Sequence, residues 1–193
     1  MRQRRLVLAS SSPRRIDLLG AAGFRFDIIS PGVTERSDAH FTVRELTRFN
    51  SLSKGITVAR ENPDAVVLAA DTLVALDEEV IGKPVDLNDA RQILRRLSRR
   101  THEVCSAVFI IHRTGQRSIL FHEISRVRFR RLTDDRIDNY IAKVNPLDKA
   151  GAYAAQGFGA EIIAQIGGSF TNVVGLPMEK TVAALAAFGI QPS

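Results

Sequence analysis

Hydrophobic positions along the chain follow two rhythms that take turns: short apolar runs, and stripes at helical spacing. Residues 6–9, Leu-Val-Leu-Ala, form an apolar run that reads as a strand. A small polar loop follows and opens a helix. Ser12 suits its N-cap, and Pro13 suits the first helical position, where a missing N–H leaves nothing unpaired. That helix ends near Gly23, a good residue just past a helix C-terminus. Residues 24–29 read as a second strand, closed by Ser30-Pro31-Gly32. Thr42, with Glu45 three residues on, forms a capping-box pattern. It predicts a helix to about Arg60, with Leu46, Phe49, Ser53 and Ile56 along one apolar face.

Val66-Val67-Leu68-Ala69-Ala70 has no polar alternation and predicts a strand buried on both faces. Residues 73–76 and 80–81 flank an acidic turn, Asp77-Glu78-Glu79. A helix is expected over 88–98, with Ala90, Ile93, Leu94 and Leu97 inward. Residues 104–111 and 118–131 read as long strands around Thr114-Gly115. In the second, Val127 and Phe129 alternate with Arg126, Arg128 and Arg130, giving one core face and one basic face. Thr133 caps a helix to about Val144, carrying Ile137, Tyr140 and Ile141. Residues 145–160 read as a long Gly- and Ala-rich loop, and loops of that length are more often functional than filler. Residues 161–166 and 170–174 read as a hairpin around Gly167-Gly168, and a last helix runs from Pro177 to Phe188. Helices and strands interleave throughout, so the class is mixed α/β in a single domain over 1–193.

Composition changes the picture in one respect. The 193 residues are 45% hydrophobic and 25% charged, ordinary for a chain with a sizeable core. The charge is less ordinary: 27 basic against 21 acidic residues give +6, and the pI is about 10.1. That favours anionic partners, whether phosphorylated metabolites, nucleic acid or anionic lipid. Cys105 is the only cysteine, so an internal disulfide is excluded, and its apolar neighbours make it an inert core thiol of an intracellular protein. The four histidines show no zinc-type spacing. No apolar run reaches the roughly 20 residues of a membrane span. Arg2, Arg4 and Arg5 precede only a short apolar stretch, too short for a signal peptide. A cytoplasmic protein without a membrane partner is the expectation.

Candidate chemistry sits at the ends of these elements. The first turn of the first helix carries Arg14 and Arg15 after Ser10-Ser11-Ser12, and unpaired N–H groups with arginines suit a polyanion such as a nucleotide's phosphates. A capped helix with two solvated arginines is the plainer alternative. Asp71 follows directly on the buried strand, where ligands of open α/β sheets bind. Its carboxylate could bind a hard divalent metal, take a proton from water, or only cap the turn with Thr72. Glu35 is a surface carboxylate unless it joins Asp71 as a second metal ligand. Lys54 is solvated by default; pointing at the sheet edge, it could hold a phosphate oxygen. Gly82-Lys83-Pro84 offers Lys83 on a shaped turn. In the stretch from Asp148 to Gly157, small residues let a flat base lie close, and Gln156 has a donor and an acceptor for a base edge. Tyr153 could pack on a sugar or base or belong to the core. No P-loop, dinucleotide fingerprint or nucleophile elbow is present.

Taken in order, Ala-Ser-Ser-Ser-Pro-Arg-Arg, Glu35, Lys54, Ala-Asp-Thr, Gly-Lys-Pro, Asp-Lys-Ala-Gly-Ala-Tyr and Val-Val-Gly-Leu-Pro span nearly the whole chain. The set resembles the Maf family of nucleoside triphosphate pyrophosphatases. The resemblance implies an ITPase-like fold, an elongated mixed sheet flanked by helices with a cleft between two lobes. It implies hydrolysis of a nucleoside triphosphate to the monophosphate and pyrophosphate with a divalent cation, Mg²⁺ or Mn²⁺, and a homodimer. By motif match, Asp71 is the catalytic carboxylate and Glu35 its acidic partner, both as metal ligands. Lys54, Lys83, Arg14 and Arg15 hold phosphates, and Ser10 lies in the same substrate-binding loop. Arg14, Thr72 and Gln156 resemble the branch acting on dTTP and UTP, rather than one acting on 7-methyl-GTP. The chain departs at Ala154-Ala155, where Gly-Ile is frequent, and in having one acidic residue at Glu35 where a pair is common.

Two other readings follow from the residues. A modified pyrimidine nucleotide, or 7-methyl-GTP, would fit the same chemistry with a different base. A non-enzymatic nucleic-acid-binding protein is suggested by the pI and by arginines at 95, 96, 99, 100, 126, 128 and 130. Against it stand 6% aromatic residues, no tryptophan and no nucleic-acid-binding motif.

Overall fold

The strand expected to stop at Ala70 runs on to Leu76. In the computed structural model, which describes residues 4–38 and 40–192, the apolar runs 66–70 and 73–76 are one strand, β3 (Val66–Leu76), passing through Asp71 and Thr72. Arg2 lies outside the described residues. The ladder with β5 (Thr101–His112) explains the continuity. It is antiparallel and unbroken from Val66 opposite His112 to Ala75 opposite Glu103, so the backbone groups of Asp71 are paired on that side.

The other edge of β3 is divided. β1 (Leu6–Leu8) pairs parallel with residues 66–68, and the Ala9 N–H reaches the Leu68 carbonyl at 2.8 Å. β4 (Glu79–Ile81) pairs antiparallel with residues 74–76. Among the described residues no strand lies beside 69–73 on this edge, and Asp71 and Thr72 sit in the gap. The carboxyl end of the parallel part is where a ligand site was expected; the correction is that the strand does not end there.

With β2 (Asp27–Ile28), β6 (Arg117–Phe129) and β7 (Ile163–Gly167), the described strands make a seven-stranded mixed sheet ordered β2-β1-β3-β5-β6-β7, with β4 beside β3. Apolar clusters lie towards opposite ends of β3. One joins Leu6, Leu8, Val66, Leu68 and Ala70 to Leu19 of α1 (Pro13–Ala21) and Leu185 of α7 (Met178–Ala186). The other joins Val74 and Leu76 to Ile93 and Leu94 of α3 (Leu87–Leu97) and to Ile137 and Tyr140 of α4 (Asp134–Ile141). Asp71 falls between them.

α2 (Val43–Glu61) starts at the expected capping box: Thr42 Oγ1 accepts from the Glu45 N–H, and the Glu45 carboxylate accepts from the Thr42 N–H at 2.8 Å. Its inner face differs from the expectation. Phe49 and Ile56 are exposed, while Thr47, Asn50, Ser51, Lys54 and Gly55 are buried with Leu46. Close packing is the reason. A Cβ on Gly55 would meet Phe109 at 2.5 Å and Ala69 at 3.3 Å, so this helix lies too near β3 and β5 for a row of bulky side chains.

Four smaller expectations change. Only Asp27–Ile28 of the 24–29 run is strand, because Phe24 turns into the α1 and α7 core. The hairpin over 161–174 is instead α5 (Gly159–Ile162), then β7 on β6, then α6 (Phe170–Val174). Ser169 converts the second arm to helix by accepting from the Asn172 N–H at 3.2 Å. The loop 145–160 contains a 3₁₀ turn, Ala150–Ala152. Ser12 has the extended backbone of an N-cap, but its side chain makes no capping bond.

Candidate functional site

The gap in the β3 edge opens into a cleft of about 560 Å³. Ser10, Arg14, Arg15, Glu35, Lys54, Asp71, Thr72, Lys83 and Gln156 all line it. Residues from six separate stretches of sequence thus meet in one place.

Lys54 is the centre of the acidic side. It is 5% exposed, and its ammonium lies 2.7 Å from Asp71 Oδ1 and 2.5 Å from Glu35 Oε1. Asp71 is buried with it. A buried ammonium loses hydration, and two carboxylates within hydrogen-bond reach compensate. Asn50, one helical turn earlier, donates to Asp71 Oδ2 at 3.1 Å. Burial alone would raise the Glu35 pKa, but Lys54, then Lys83 and Arg15, outweigh it and hold Glu35 below the usual carboxylate range.

Arg15 is braced from three sides. Its Nε donates to the Gly175 carbonyl at 2.9 Å, Nη1 to Ser10 Oγ at 3.3 Å and Nη2 to Thr72 Oγ1 at 3.2 Å. Burial pulls its pKa down, and the Asp71 and Glu35 charges push back. Three of five guanidinium N–H groups are thereby committed to protein acceptors. Thr72 Oγ1 also lies 2.8 Å from Ser106 Oγ and 3.2 Å from the Gly175 carbonyl. Gly175 has φ +132°, which only glycine adopts without strain, so its carbonyl can serve both partners.

The opposite wall comes from the 145–160 segment. Arg14 Nη1 is 3.3 Å from Asp148 Oδ2, and Lys149 Nζ is 2.5 Å from Asp148 Oδ1. The Gly151 N–H donates to the Gly82 carbonyl at 3.0 Å, tying the 3₁₀ turn to the turn that carries Lys83. The Ala154 N–H donates to Tyr140 Oη at 3.0 Å, which pins the approach to Gln156. Tyr153 lines the cleft yet belongs to the core: its Oη is 2.8 Å from His102 Nε2, and its ring packs edge-on against Phe129. Burial lowers the His102 pKa to about 4 and raises that of Tyr153 above its ordinary value.

Sequence reasoning missed Asn50, Ser106 and His102 as site neighbours; Asp148 fell in the singled-out 148–157 stretch, without its pairing to Arg14. Asn50 had a usable signal, because any helix face that turns Lys54 inward also turns in residue 50, four positions before it. His102 and Ser106 had none: Ser106 arrives only through the β3–β5 register, opposite Thr72, and His102 only through its contact with Tyr153. Cys105 is buried, as expected, with Thr47 Oγ1 at 3.7 Å. No helix is long and apolar enough to cross a membrane among the described residues.

Known proteins resemble this chain along nearly its whole length. The family model described as Maf-like protein matches residues 5–188, which includes every residue of the cleft named above. A dTTP/UTP pyrophosphatase of Bacillus pumilus (strain SAFR-032) is 42% identical over 187 residues, 97% of this chain and 98% of that one. A dTTP/UTP pyrophosphatase of Aquifex aeolicus (strain VF5) is 43% identical over 179 residues, 91% of each. A solved HAM1 protein from Coxiella burnetii aligns with TM-score 0.46 and 14% identity over 67% of this chain and 75% of its own. With one family spanning nearly its full length, the chain belongs to the Maf-like proteins.

Proposed function

We propose that this chain is a dTTP/UTP pyrophosphatase, which hydrolyses the nucleotide to its monophosphate and pyrophosphate. The observation that carries the reading is a buried Lys54 joining Asp71 and Glu35 on a cleft that Arg14, Arg15 and Lys83 also line. Relatives about 42% identical that bear this activity's name support it.

Asp71 takes the proton of a water as the water oxygen attacks the α-phosphorus. The bond from that phosphorus to the bridging oxygen breaks, and pyrophosphate leaves. Lys54 orients Asp71 through their ion pair at 2.7 Å. Lys83 and Arg14 meet phosphate oxygens, and Arg14 releases Asp148 to do so. Arg15 keeps Ser10, Thr72 and Gly175 in register and has two N–H groups left for a phosphate. Gln156 reads the base edge, while Thr72 shapes that wall through its bonds to Ser106 and Gly175.

The donor set fits a hard divalent cation. Among the described residues no cluster of three or more metal-ligating side chains exists, but Mg²⁺ sites that also hold phosphates need only one or two carboxylates. Glu35 and Asp71 would hold it with phosphate oxygens. Such a cation neutralises charge on the phosphates and acidifies water. A cytoplasmic homodimer is part of the same proposal, supported by the family resemblance.

The test is pyrophosphate release from a panel of nucleoside triphosphates in H₂¹⁸O, with Mg²⁺, with Mn²⁺ and without added metal. The expected result is metal-dependent release from dTTP and UTP, with label in the monophosphate. Release from another base alone overturns the roles of Gln156 and Thr72. Label in pyrophosphate overturns attack at the α-phosphorus.

A further inference from the structure

Asn50 is the one side chain at Asp71 that neither the motif set nor the chemistry of phosphoanhydride hydrolysis calls for. It is 2% exposed, and its amide makes three hydrogen bonds. Oδ1 accepts from the Arg36 N–H at 2.8 Å; Nδ2 donates to the Arg36 carbonyl and to Asp71 Oδ2, both at 3.1 Å. These partners fix the amide's orientation, because only its oxygen can accept an N–H and only its nitrogen can donate twice.

Residues 50 and 54 therefore work in parallel from one helix face. Lys54 binds Asp71 Oδ1 and the Glu35 side chain. Asn50 binds Asp71 Oδ2 and the backbone of the next residue, Arg36. Both carboxylate oxygens of Asp71 are gripped. This matters because the terminal torsion of an aspartate is soft, and one donor would leave the group free to swing. The segment holding Glu35 has no regular structure from Ile29 to Asp38, so its place depends on side-chain ties of this kind.

We infer that Asn50 is a positioning residue for the hydrolysis: it fixes the plane of the Asp71 carboxylate and the distance from Asp71 to the Glu35 segment, without touching the nucleotide. The inference rests on the reading of Asp71 as the proton acceptor. A misplacement of about 1 Å in a reacting group can cost on the order of 10²-fold in rate.

Two variants separate the bonds. Asn50→Leu removes all three. Asn50→Asp keeps the acceptor for the Arg36 N–H but faces Asp71 with a second carboxylate. Both are measured beside Asp71→Asn for kcat and KM on dTTP, for melting temperature, and for hydrogen exchange at the Arg36 amide. For both position-50 variants kcat is expected to fall roughly 10- to 100-fold, with KM within about threefold of the wild type. Arg36 amide protection should be lost in Asn50→Leu and kept in Asn50→Asp. A purely structural role would lower melting temperature and leave the kcat of folded protein unchanged. Wild-type kcat in the position-50 variants beside an inactive Asp71→Asn overturns this inference alone. An active Asp71→Asn overturns it together with the reading of Asp71. If Asn50→Leu does not fold, unchanged kcat in Asn50→Asp is sufficient to overturn it.

Discussion

At the scale of single residues, the site is a set of charges whose partners are mostly one another. Lys54 was legible as a basic residue near the sheet, but its burial was not, because the apolar stripe drawn through Phe49 and Ile56 put it on the wrong face. The structure makes Lys54 the link between Asp71 and Glu35, so its charge is needed twice. Removing one partner of a buried ion pair costs about 3–5 kcal/mol, since the other charge is left uncompensated. Lys54→Met should therefore lose both activity and stability, the latter read as a lower denaturation midpoint in urea. Unchanged stability would mean that Lys54 is not held as described. Gln156 lines the same cleft from the 145–160 segment, and on the proposed reading it meets the base. Gln156→Glu should shift the ratio of kcat/KM between UTP and the other nucleotides. An equal loss on every nucleotide would remove its role in reading the base.

At the scale of elements, the local pattern found most helices and strands, and it failed where tertiary packing decides. The capping box of α2, the Thr133 cap and the α3 helix were legible because caps and periodicity are local signals. The single β3 was not, because an Asp-Thr pair between two apolar runs looks like a turn until β5 pairs across it. α2 was found with its face misjudged, because its close approach to the sheet rests on Gly55 and not on an apolar stripe. Gly55→Ala makes a direct test. Helix propensity alone would favour alanine by about 1 kcal/mol. Overpacking against Phe109 and Ala69 should outweigh that, at about 1–3 kcal/mol. The expected result is a lower melting temperature and a reduced kcat, since Asn50 and Lys54 move with the helix. A more stable, fully active Gly55→Ala protein would contradict the packing argument.

For the whole molecule, the basic balance that suggested nucleic acid looks different once the chain is folded. Arg95 pairs with Asp134, Arg96 with Glu79, Arg100 with Asp77 and Arg126 with Glu103, so much of the arginine-rich surface is matched by carboxylates. The dependence of stability on pH follows from the core. His102 titrates near 4 when folded against 6.5 for the ordinary side chain. Above pH 6.5 both states are neutral and the full stability is present. As pH falls from 6.5 towards 4, the unfolded chain binds a proton that the native one does not, so stability falls, by about 3 kcal/mol in all. Urea denaturation between those pH values should give a steeper loss for the wild type than for His102→Leu; equal slopes would contradict it. The order of the motifs made the family and the cleft legible from sequence. The divided edge of β3 was not, because it depends on β1 and β4 arriving from separate parts of the chain. On the proposed reading, this gap holds Asp71 as the group that activates water. The most direct measurement is pyrophosphate release from dTTP by pure, metal-replete Asp71→Asn beside the wild type. If Asp71 activates water, kcat drops by about 10²-fold or more with the fold intact; near-normal turnover by the variant would contradict that role.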